Sequence, residues 1–335
     1  MSSEKTTRAA HQPGLEEATA TRLRVSVIVP VYNSSGTLEQ LVERLHAELA
    51  TRYDFEIVLV NDASPDDSGE ICRRLATAHS WVRFVDLARN FGEHNAVMAG
   101  LSYCRGDCAV IVDDDFQNPP AEAAKLVEKL REGYDVVFSR YEKKQHSVFR
   151  NLGSRFNNAV ASVMLKKEWG LYLSSFKAIS RFMIDEITRY EGPYPYIDGL
   201  ILRSTANYTT QLVEHSPRQQ GRSNYTLMKL TRLWLDMLTN FSILPLRIAS
   251  LLGILFAFVG LVLTVFVMAE RLQDPELVPG WASTAVLILV VSGVQLFALG
   301  MIGEYLGRLF LKGNGSPMFV ARRTMNCEDD DRKPS

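Results

Sequence analysis

The sequence lacks the features that would place it in several common functional classes. No G-x-G-x-x-G follows its first apolar segment and no G-x-x-x-x-G-K-[ST] occurs anywhere, which argues against a dinucleotide dehydrogenase and a P-loop NTPase. No charge of one sign dominates, because 37 Lys and Arg residues face 38 Asp and Glu residues, so nucleic acid is not an expected partner. Residues 1–22 hold no apolar segment and are expected to be a disordered tail rather than a signal peptide.

Cysteine is also scarce. The four cysteines have neither the paired spacing of a zinc site nor the density of a disulfide framework: Cys72, Cys104, Cys108 and Cys327. They are predicted to be reduced thiols of a cytosolic domain.

Long hydrophobic segments occur only late in the chain. Residues 248–269 and 282–303 are two stretches of 22 residues without a charge, and a helix of that length crosses a hydrocarbon core of about 30 Å. Their connection is mainly acidic and their outer flanks are basic, which predicts a transmembrane hairpin over 248–312 with both termini in the cytoplasm. Two buried core helices are the weaker alternative.

The segments on either side of this hairpin are different in character. Residues 228–247 mix Leu, Trp and Phe with Lys and Arg, a pattern typical of an interfacial amphipathic helix. Residues 313–335 end in a polar, acidic run and are expected to be a cytoplasmic tail.

Strand-like and helix-like segments alternate from residue 23 to about residue 140. The strand-like segments are almost wholly apolar, which is typical of an α/β fold with a mostly parallel sheet covered by helices on both faces. The first helical segment has five apolar residues on one face: Leu38, Leu41, Val42, Leu45 and Leu49. Ligands bind such sheets beyond the carboxyl ends of the strands. That edge collects Tyr32 and Asn33, Asn61 and Asp62, Arg89 and Asn90, Asp113 to Asp115, and Ser139 and Arg140.

Three consecutive aspartates, Asp113 to Asp115, follow the fourth strand. Adjacent carboxylates repel one another, and strand formation does not favour them. Strand alternation would turn Asp113 and Asp115 to one side and Asp114 to the other. Two converging carboxylates suit a hard divalent ion that also takes phosphate oxygens, and Gln117 could supply a third oxygen.

A solvated acidic turn is the alternative interpretation of this triplet. Its position argues for the metal, since it ends the fourth strand of a sheet whose second strand ends in Asp62. The Asn118-Pro119-Pro120 segment is expected to cap a helix over 119–132, with Asn118 as the N-cap.

These segments, taken in order, resemble the polyisoprenyl-phosphate glycosyltransferases. VIVPVYN, VNDASPDDS, LARNFGEHNAVMAGL and DDDFQNPP, followed by two C-terminal membrane segments, are similar to one branch of the inverting GT-A enzymes of glycosyltransferase family 2. That branch includes dolichyl-phosphate mannose synthase and the bacterial undecaprenyl-phosphate sugar transferases. The resemblance covers about residues 24–312 and implies a Rossmann-like GT-A domain over 23–227.

The resemblance also implies an activity and its partners. It implies inverting transfer of a hexosyl or pentosyl group from a nucleotide-sugar to a polyprenyl phosphate at the cell (inner) membrane. It implies Mg²⁺ or Mn²⁺ as cofactor, and a homo-oligomer is an expectation of the same kind. UDP or dTDP is favoured over GDP as the nucleotide, because Asp62 can accept a hydrogen bond from a pyrimidine N3–H.

The resemblance assigns roles to individual residues. The implied nucleotide-binding residues are Pro30, Tyr32, Asp62, Asp113 and Arg218. The implied metal ligands are Asp113, Asp115 and Gln117, and the lipid phosphate is assigned to Ser139, Arg140, Arg150 and Ser154. The implied catalytic residues are Asp115, Arg140, Arg222 and Glu168.

Physical arguments support some of these roles. Helical spacing places Arg150 and Ser154 on one face, where both can meet a phosphate. Arg218 and Arg222 flank Gly221, and a glycine-hinged loop with two guanidinium groups can close over a diphosphate.

The pattern departs from the family at two points. Polymerising relatives usually show Q-x-x-R-W, and Ser223 stands in place of that tryptophan, which weakens the case for a chain-elongating synthase. Glu168 and Lys177 occupy the region where relatives often carry an Asp and an Arg, and Asp198 is a rival acid.

The expected reaction has little need of a general base. A phosphomonoester has its second pKa near 6, so at neutral pH most of the acceptor is already a dianionic nucleophile. Positioning and charge stabilisation must then supply most of the rate. Two alternatives stay open: a membrane transferase that glycosylates another lipid or polysaccharide acceptor, and a non-catalytic nucleotide-sugar-binding scaffold.

Overall fold

The computed structural model describes residues 22–141, 171–192, 194–214, 244–273 and 280–327. Within these ranges the chain forms eight strands. They are β1 (Arg24–Val31), β2 (Asp54–Asn61), β3 (Val82–Leu87), β4 (Cys108–Ile111), β5 (Val136–Arg140), β6 (Lys177–Ser180), β7 (Tyr208–Leu212) and β8 (Ala321–Met325).

The same ranges contain eight helices. They are α1 (Leu38–Leu49), α2 (Ser68–Ala78), α3 (Glu93–Tyr103), α4 (Ala121–Leu130), α5 (Arg181–Thr188), α6 (Ile197–Ser204), α7 (Leu244–Gln273) and α8 (Trp281–Gly313). The five apolar residues predicted to share a face of α1 are all buried, which confirms that assignment.

All eight strands belong to one sheet in the order β7-β5-β6-β4-β1-β2-β3-β8. The central strands β4, β1, β2 and β3 are parallel, and β7 is parallel to β5. Strands β6 and β8 run antiparallel to their neighbours. The predicted mostly parallel α/β sheet is therefore confirmed, and the carboxyl ends of β1 to β4 share one edge.

Hydrophobic cores cover both faces of this sheet. One face packs alternate residues of the central strands against α1, α2 and α4, and the other packs the intervening residues against α3, α5 and α6. Burial on both faces explains why the central strands are apolar throughout. The four cysteines lie in these cores as free thiols, as their spacing predicted.

The segment after α8 differs from the predicted tail. Residues 321–325 form β8, which pairs antiparallel with β3, and Cys327 beyond it is buried. The Asn326 side chain donates to the carbonyls of Ala76 and Val82, each at 2.7 Å. The polar composition did not indicate this because an edge strand needs backbone hydrogen bonds more than apolar side chains.

The two C-terminal helices carry exposed apolar side chains along their length, such as Leu251, Phe258, Leu296 and Phe310. Val291–Leu311 is the one stretch of the described residues that is long and apolar enough to cross a membrane, and Ala249–Val262 is a shorter apolar stretch. The spans at 248–269 and 282–303 stay predictions. Helix α7 already begins at Leu244, so the last residues of the expected interfacial segment belong to it, and 228–243 lie outside the described residues.

Candidate functional site

Four loops meet at the carboxyl edge of the central strands. Each contains one residue in the left-handed backbone region: Asn33 (φ 59°), Ala63 (φ 52°), Gly92 (φ 92°) and Phe116 (φ 58°). For Ala63 and Phe116 this conformation costs about 1 kcal/mol or more. Backbone strain is thus concentrated at the edge where ligands bind in sheets of this type.

Hydroxyl groups of the VNDASPDDS segment hold the loop after β1. The backbone N–H of Asn33 donates to Ser64 Oγ at 3.2 Å, and that of Ser34 donates to Ser68 Oγ at 2.8 Å. Tyr32, predicted to bind nucleotide, is 48% exposed beside these contacts, and Pro30 is partly buried. The motif therefore shapes the first two loops together and leaves the tyrosine ring open to solvent.

The acidic triplet lies in a turn, because β4 ends at Ile111. Asp113 Oδ2 accepts from Ser175 Oγ at 2.6 Å, whereas Asp114 Oδ2 accepts from Tyr32 N at 3.4 Å and from the Ser34 hydroxyl. Asp114 therefore points to the loop after β1. Its direction results from the turn and not from the strand alternation assumed from the sequence. The Asp114 side chain connects the acidic turn to the loop that carries Tyr32.

Asp115 and Gln117 share a contact within the same turn. The backbone N–H of Gln117 donates to Asp115 Oδ1 at 3.1 Å. Both side chains are partly exposed at the carboxyl edge. The contact joins Asp115 to Gln117, and a metal site formed by these two residues with Asp113 stays a prediction.

The enclosed position of Asp114 raises the pKa of its carboxyl to about 6. Burial is the main cause and outweighs the hydrogen bonds from Ser34 and Tyr32, while the charges of Asp113 and Asp115 add to the rise. The three carboxylates are therefore close enough to repel one another.

Replacement of Asp114 by asparagine should stabilise the metal-free protein at pH 8, and less so at pH 5. The folded pKa of Asp114 lies above the unfolded value, so the folded state binds the proton more tightly and its stability falls as pH rises through about 4 to 6. Asparagine carries no charge and its amide oxygen can accept the same hydrogen bonds. Thermal unfolding in EDTA at both pH values measures the difference, and an equal shift at both would contradict it.

Asp62 is an internal anchor of the site. It is 3% exposed, and its carboxylate oxygens accept from the backbone N–H groups of Phe91 at 2.7 Å and Gly92 at 2.8 Å. Burial raises the pKa of this carboxyl, and these two hydrogen bonds oppose the rise. The side chain shapes the loop after β3, and each carboxylate oxygen has one further lone pair beyond these hydrogen bonds.

Ser139 and Arg140 face in opposite directions at the end of β5. Ser139 is fully buried and its hydroxyl donates to Ser174 Oγ at 2.7 Å, while Arg140 is exposed. The expected contact of Ser139 with a lipid phosphate would require this buried hydrogen bond to open. Arg140 is free of that constraint because successive side chains of a strand point to opposite faces.

Asn118 has a different role from the predicted N-cap. Helix α4 begins at Ala121 after Pro120, and the Asn118 Oδ1 instead accepts from Tyr141 Oη at 2.7 Å. Tyr141 Oη in turn lies 3.1 Å from Ser174 Oγ. The end of the acidic loop is thereby joined to the buried hydroxyl network at the end of β5.

Lys177 and Asp198 form a buried ion pair, with side chains 4% and 10% exposed. Lys177 Nζ also lies 5.4 Å from the centre of the Phe138 ring. The position of Lys177 is thus internal, and Asp198, the rival acid, is its partner. Glu93 was not singled out in the sequence; its side chain is exposed, and partial desolvation by the surrounding protein, together with the charge of Asp113, raises the pKa of its carboxyl.

Five of the predicted site residues lie outside the described residues: Arg150, Ser154, Glu168, Arg218 and Arg222. The other eight are at the carboxyl edge: Pro30, Tyr32, Asp62, Asp113, Asp115, Gln117, Ser139 and Arg140.

Sequence reasoning missed the hydroxyl residues that hold the site together. Ser34 and Ser175 contact the acidic turn, and Ser174 contacts Ser139. Their partners lie between 35 and 80 positions away along the chain. No local pattern indicates such contacts, because serine is equally common in solvated loops.

The acidic turn fits a metal ion that is shared with a substrate. Within the ranges that the structure describes, no three His, Cys, Asp or Glu side chains form a metal-binding group by themselves. Mg²⁺ is usually held by one or two carboxylates together with substrate phosphates and water. Asp113 and Asp115 provide the two carboxylates for such a site. Their charges already act on the neighbouring Asp114 and raise its pKa.

Two family models match the chain. Residues 26–188 match "Glycosyl transferase family 2", and residues 244–309 match "GtrB C-terminal hairpin". The first match covers the acidic turn and the described site residues from Pro30 to Lys177, and the second covers α7 and most of α8.

Curated relatives align over nearly their whole length. The chain is 35% identical to the undecaprenyl-phosphate 4-deoxy-4-formamido-L-arabinose transferase of Yersinia enterocolitica over 312 residues, covering 91% of this chain and 94% of that protein. It is 34% identical to the protein of the same name in Klebsiella pneumoniae, covering 90% and 94%. It is 31% identical to the glycosyltransferase YkcC of Bacillus subtilis, covering 92% and 96%.

Similarity to solved structures is more distant. Glucosyl-3-phosphoglycerate synthase of Mycobacterium tuberculosis, crystallised with Mn²⁺, UDP and glucosyl-3-phosphoglycerate, overlaps with a TM-score of 0.47 at 20% identity. The overlap covers 73% of this chain and 86% of that chain. A similarity at this level carries no inference about donor, metal or acceptor.

Proposed function

Because the chain belongs to the family 2 glycosyl transferases and its C-terminal part matches their GtrB-type hairpin, we propose that it transfers a sugar from a nucleotide-sugar to a polyprenyl phosphate at the membrane. The single observation that carries this proposal is the acidic turn at the carboxyl edge. Tyr32 and Ser34 donate hydrogen bonds to Asp114 and so hold the acidic turn against the Tyr32 loop at the carboxyl edge of the sheet. The same chain continues into apolar helices.

The donor lies, in this proposal, across the ends of β1, β2 and β4. The open ring of Tyr32 packs on the base, and the remaining lone pairs of Asp62 favour a pyrimidine such as that of UDP or dTDP over GDP. Asp113, Asp115 and Gln117 would hold a divalent cation, Mg²⁺ or Mn²⁺, which supplies positive charge against the diphosphate.

The acceptor phosphate lies on the other side of the acidic turn. Arg140 is exposed at the end of β5 and presents a planar guanidinium that matches two phosphate oxygens. At neutral pH the acceptor is mostly dianionic, so the protein mainly holds it in line with the anomeric carbon. Attack on the face opposite the diphosphate gives inversion.

The membrane segments keep the acceptor within reach. Burial of each methylene group contributes about 0.8 kcal/mol, so a polyprenyl chain does not leave the bilayer at an acceptable cost. The exposed apolar side chains of α7 and α8 suit lipid contact. We place both termini and the catalytic domain on the cytoplasmic side of the cell membrane.

One assay tests the activity directly. The full-length chain in detergent is incubated with undecaprenyl phosphate, Mg²⁺ or Mn²⁺, and UDP-, dTDP- or GDP-sugars in turn, and the lipid products are analysed by mass spectrometry. We expect one polyprenyl-phosphate sugar. Hydrolysis without a lipid product, or a product only on another acceptor, would contradict the proposal.

Arg140→Gln should raise the KM for undecaprenyl phosphate by about tenfold or more, since a hydrogen bond to a charged group contributes about 1.5–3 kcal/mol. The KM for the donor should change little. Arg131→Gln is the matched control, because Arg131 is an exposed arginine at the carboxyl end of α4, paired with Glu128. An equal effect of both substitutions would argue against a phosphate contact at Arg140.

A further inference from the structure

The geometry points to a role for the C-terminal strand β8 in the donor site: it positions the loop 88–92, with Arg322 as the positioning residue. This inference rests on the proposed function for its link to the donor. A segment that follows the two C-terminal helices thus helps to shape the proposed nucleotide site at the carboxyl edge of the sheet.

Both backbone groups of Ala88 are held by the C-terminal segment. The Ala88 N–H donates to the Val320 carbonyl at 2.8 Å, and the Ala88 carbonyl accepts from Arg322 Nη2 at 2.9 Å. Ala88 is the first residue after β3, at the point where the β3–β8 pairing shifts register between Asp86 and Leu87. The start of the loop is therefore fixed by hydrogen bonds to Val320 and Arg322.

The other end of the same loop is held by Asp62. Phe91 and Gly92 donate their backbone N–H groups to its carboxylate, and Asn90 Nδ2 donates to its carbonyl at 3.3 Å. The five residues 88–92 are thus bound at one end to β8 and at the other to the buried acid at the end of β2. A shift of either anchor moves the surface that lies next to Asp62.

Strand β8 is itself firmly docked. Asn326 donates to the carbonyls of Ala76 and Val82, and its φ of 59° turns the chain so that Cys327 enters the core. Helix α8 ends at Gly313 and β8 begins at Ala321, so only residues 314–320 separate them. The membrane helices are therefore connected by a short segment to a wall of the donor site.

Arg323 provides a matched control on the same strand. Adjacent strand residues face opposite ways, and Arg323 pairs in register with Asp86. Arg322 and Arg323 both border a cavity of about 260 Å³ that Asn61 and Asp86 also line. Asn61 and Asp86 continue the alternation of the α1–α2 face of the sheet, opposite to Asp62. In the part of the chain that the structure describes, Arg323 makes no hydrogen bond to residues 88–92.

The test compares Arg322→Gln, Arg322→Lys and Arg323→Gln in the full-length protein by hydrogen–deuterium exchange and by kinetics. In Arg322→Gln we expect peptides that contain Phe91 and Gly92 to exchange about tenfold faster, the change that follows from losing one hydrogen bond to a charged group. The KM for the donor should rise by a similar factor, with the KM for undecaprenyl phosphate unchanged. Arg322→Lys keeps the positive charge and should change the loop exchange rate and the donor KM less than Arg322→Gln does. Arg323→Gln should match the wild type in both measurements.

Each outcome decides one part of the inference. Equal exchange of the loop in Arg322→Gln and Arg323→Gln would overturn the positioning role. Exchange of peptides from α1 is the reference that detects any general destabilisation of the domain. Faster exchange with an unchanged donor KM would overturn the link to the donor. If the wild type transfers no sugar to undecaprenyl phosphate, the proposed function fails, and the exchange data still decide whether β8 positions the loop.

Discussion

Asp115→Asn is expected to lower kcat for sugar transfer by about a thousandfold and to remove its dependence on divalent metal. Loss of one carboxylate from the acidic turn weakens the site that neutralises the diphosphate, and such charge stabilisation contributes several kcal/mol to the transition state. The amide oxygen of asparagine can still accept from the Gln117 N–H, so the turn should keep its shape. Initial rates across a range of Mg²⁺ and Mn²⁺ concentrations, with the lipid product measured by mass spectrometry, give the result.

The control for this change is Asp54→Asn. Asp54 begins β2 at the opposite edge of the sheet and forms an exposed ion pair with Arg24. Its replacement should leave kcat within about twofold, because exposed ion pairs contribute little. Wild-type turnover in Asp115→Asn would remove the basis for a metal at the acidic turn.

Lys177→Met is expected to destabilise the catalytic domain by about 3–5 kcal/mol, a fall in Tm of about 10 °C. The substitution leaves the buried carboxylate of Asp198 without its cation, and an uncompensated buried charge is far more costly than a lost surface pair. Methionine fills a similar volume, so a cavity contributes little to the loss. Thermal unfolding of the full-length protein in detergent measures the change.

The double variant Lys177→Met/Asp198→Leu separates a structural role from a catalytic one. Removing both charges should recover most of the lost stability, because an apolar pair of similar volume is often no less stable than a buried ion pair. We expect it to retain most of the transfer activity. A stable but inactive double variant would show instead that this ion pair takes part in the reaction. Removal of the exposed Arg24–Asp54 pair, at 50% and 55% exposure, should shift stability by less than about 1 kcal/mol.

Local pattern predicted the elements and their edge well. The apolar face of α1 and the uniformly apolar strands follow from helical and strand periodicity, and the carboxyl edge follows from the direction of parallel strands. Pattern failed where a residue's partner is distant. Asn118 precedes two prolines as an N-cap would, but its carboxamide oxygen accepts a hydrogen bond from Tyr141. Ser139 is buried and donates its hydroxyl to Ser174.

The sequence alone determined the family resemblance, the alternating α/β order, the position of the acidic turn and the two apolar helices, because each depends on neighbouring residues or on regular spacing. Tertiary structure alone decided that Asp114 joins this turn to the Tyr32 loop, that Lys177 and Asp198 pair in the interior, and that β8 returns to the sheet. These contacts bring together residues from 21 positions apart, as in the Lys177–Asp198 pair, to 250, as in Asn326 and Ala76. Their energy comes from burial and from hydrogen bonds that exist only once the sheet has formed, and no short segment of the chain encodes them.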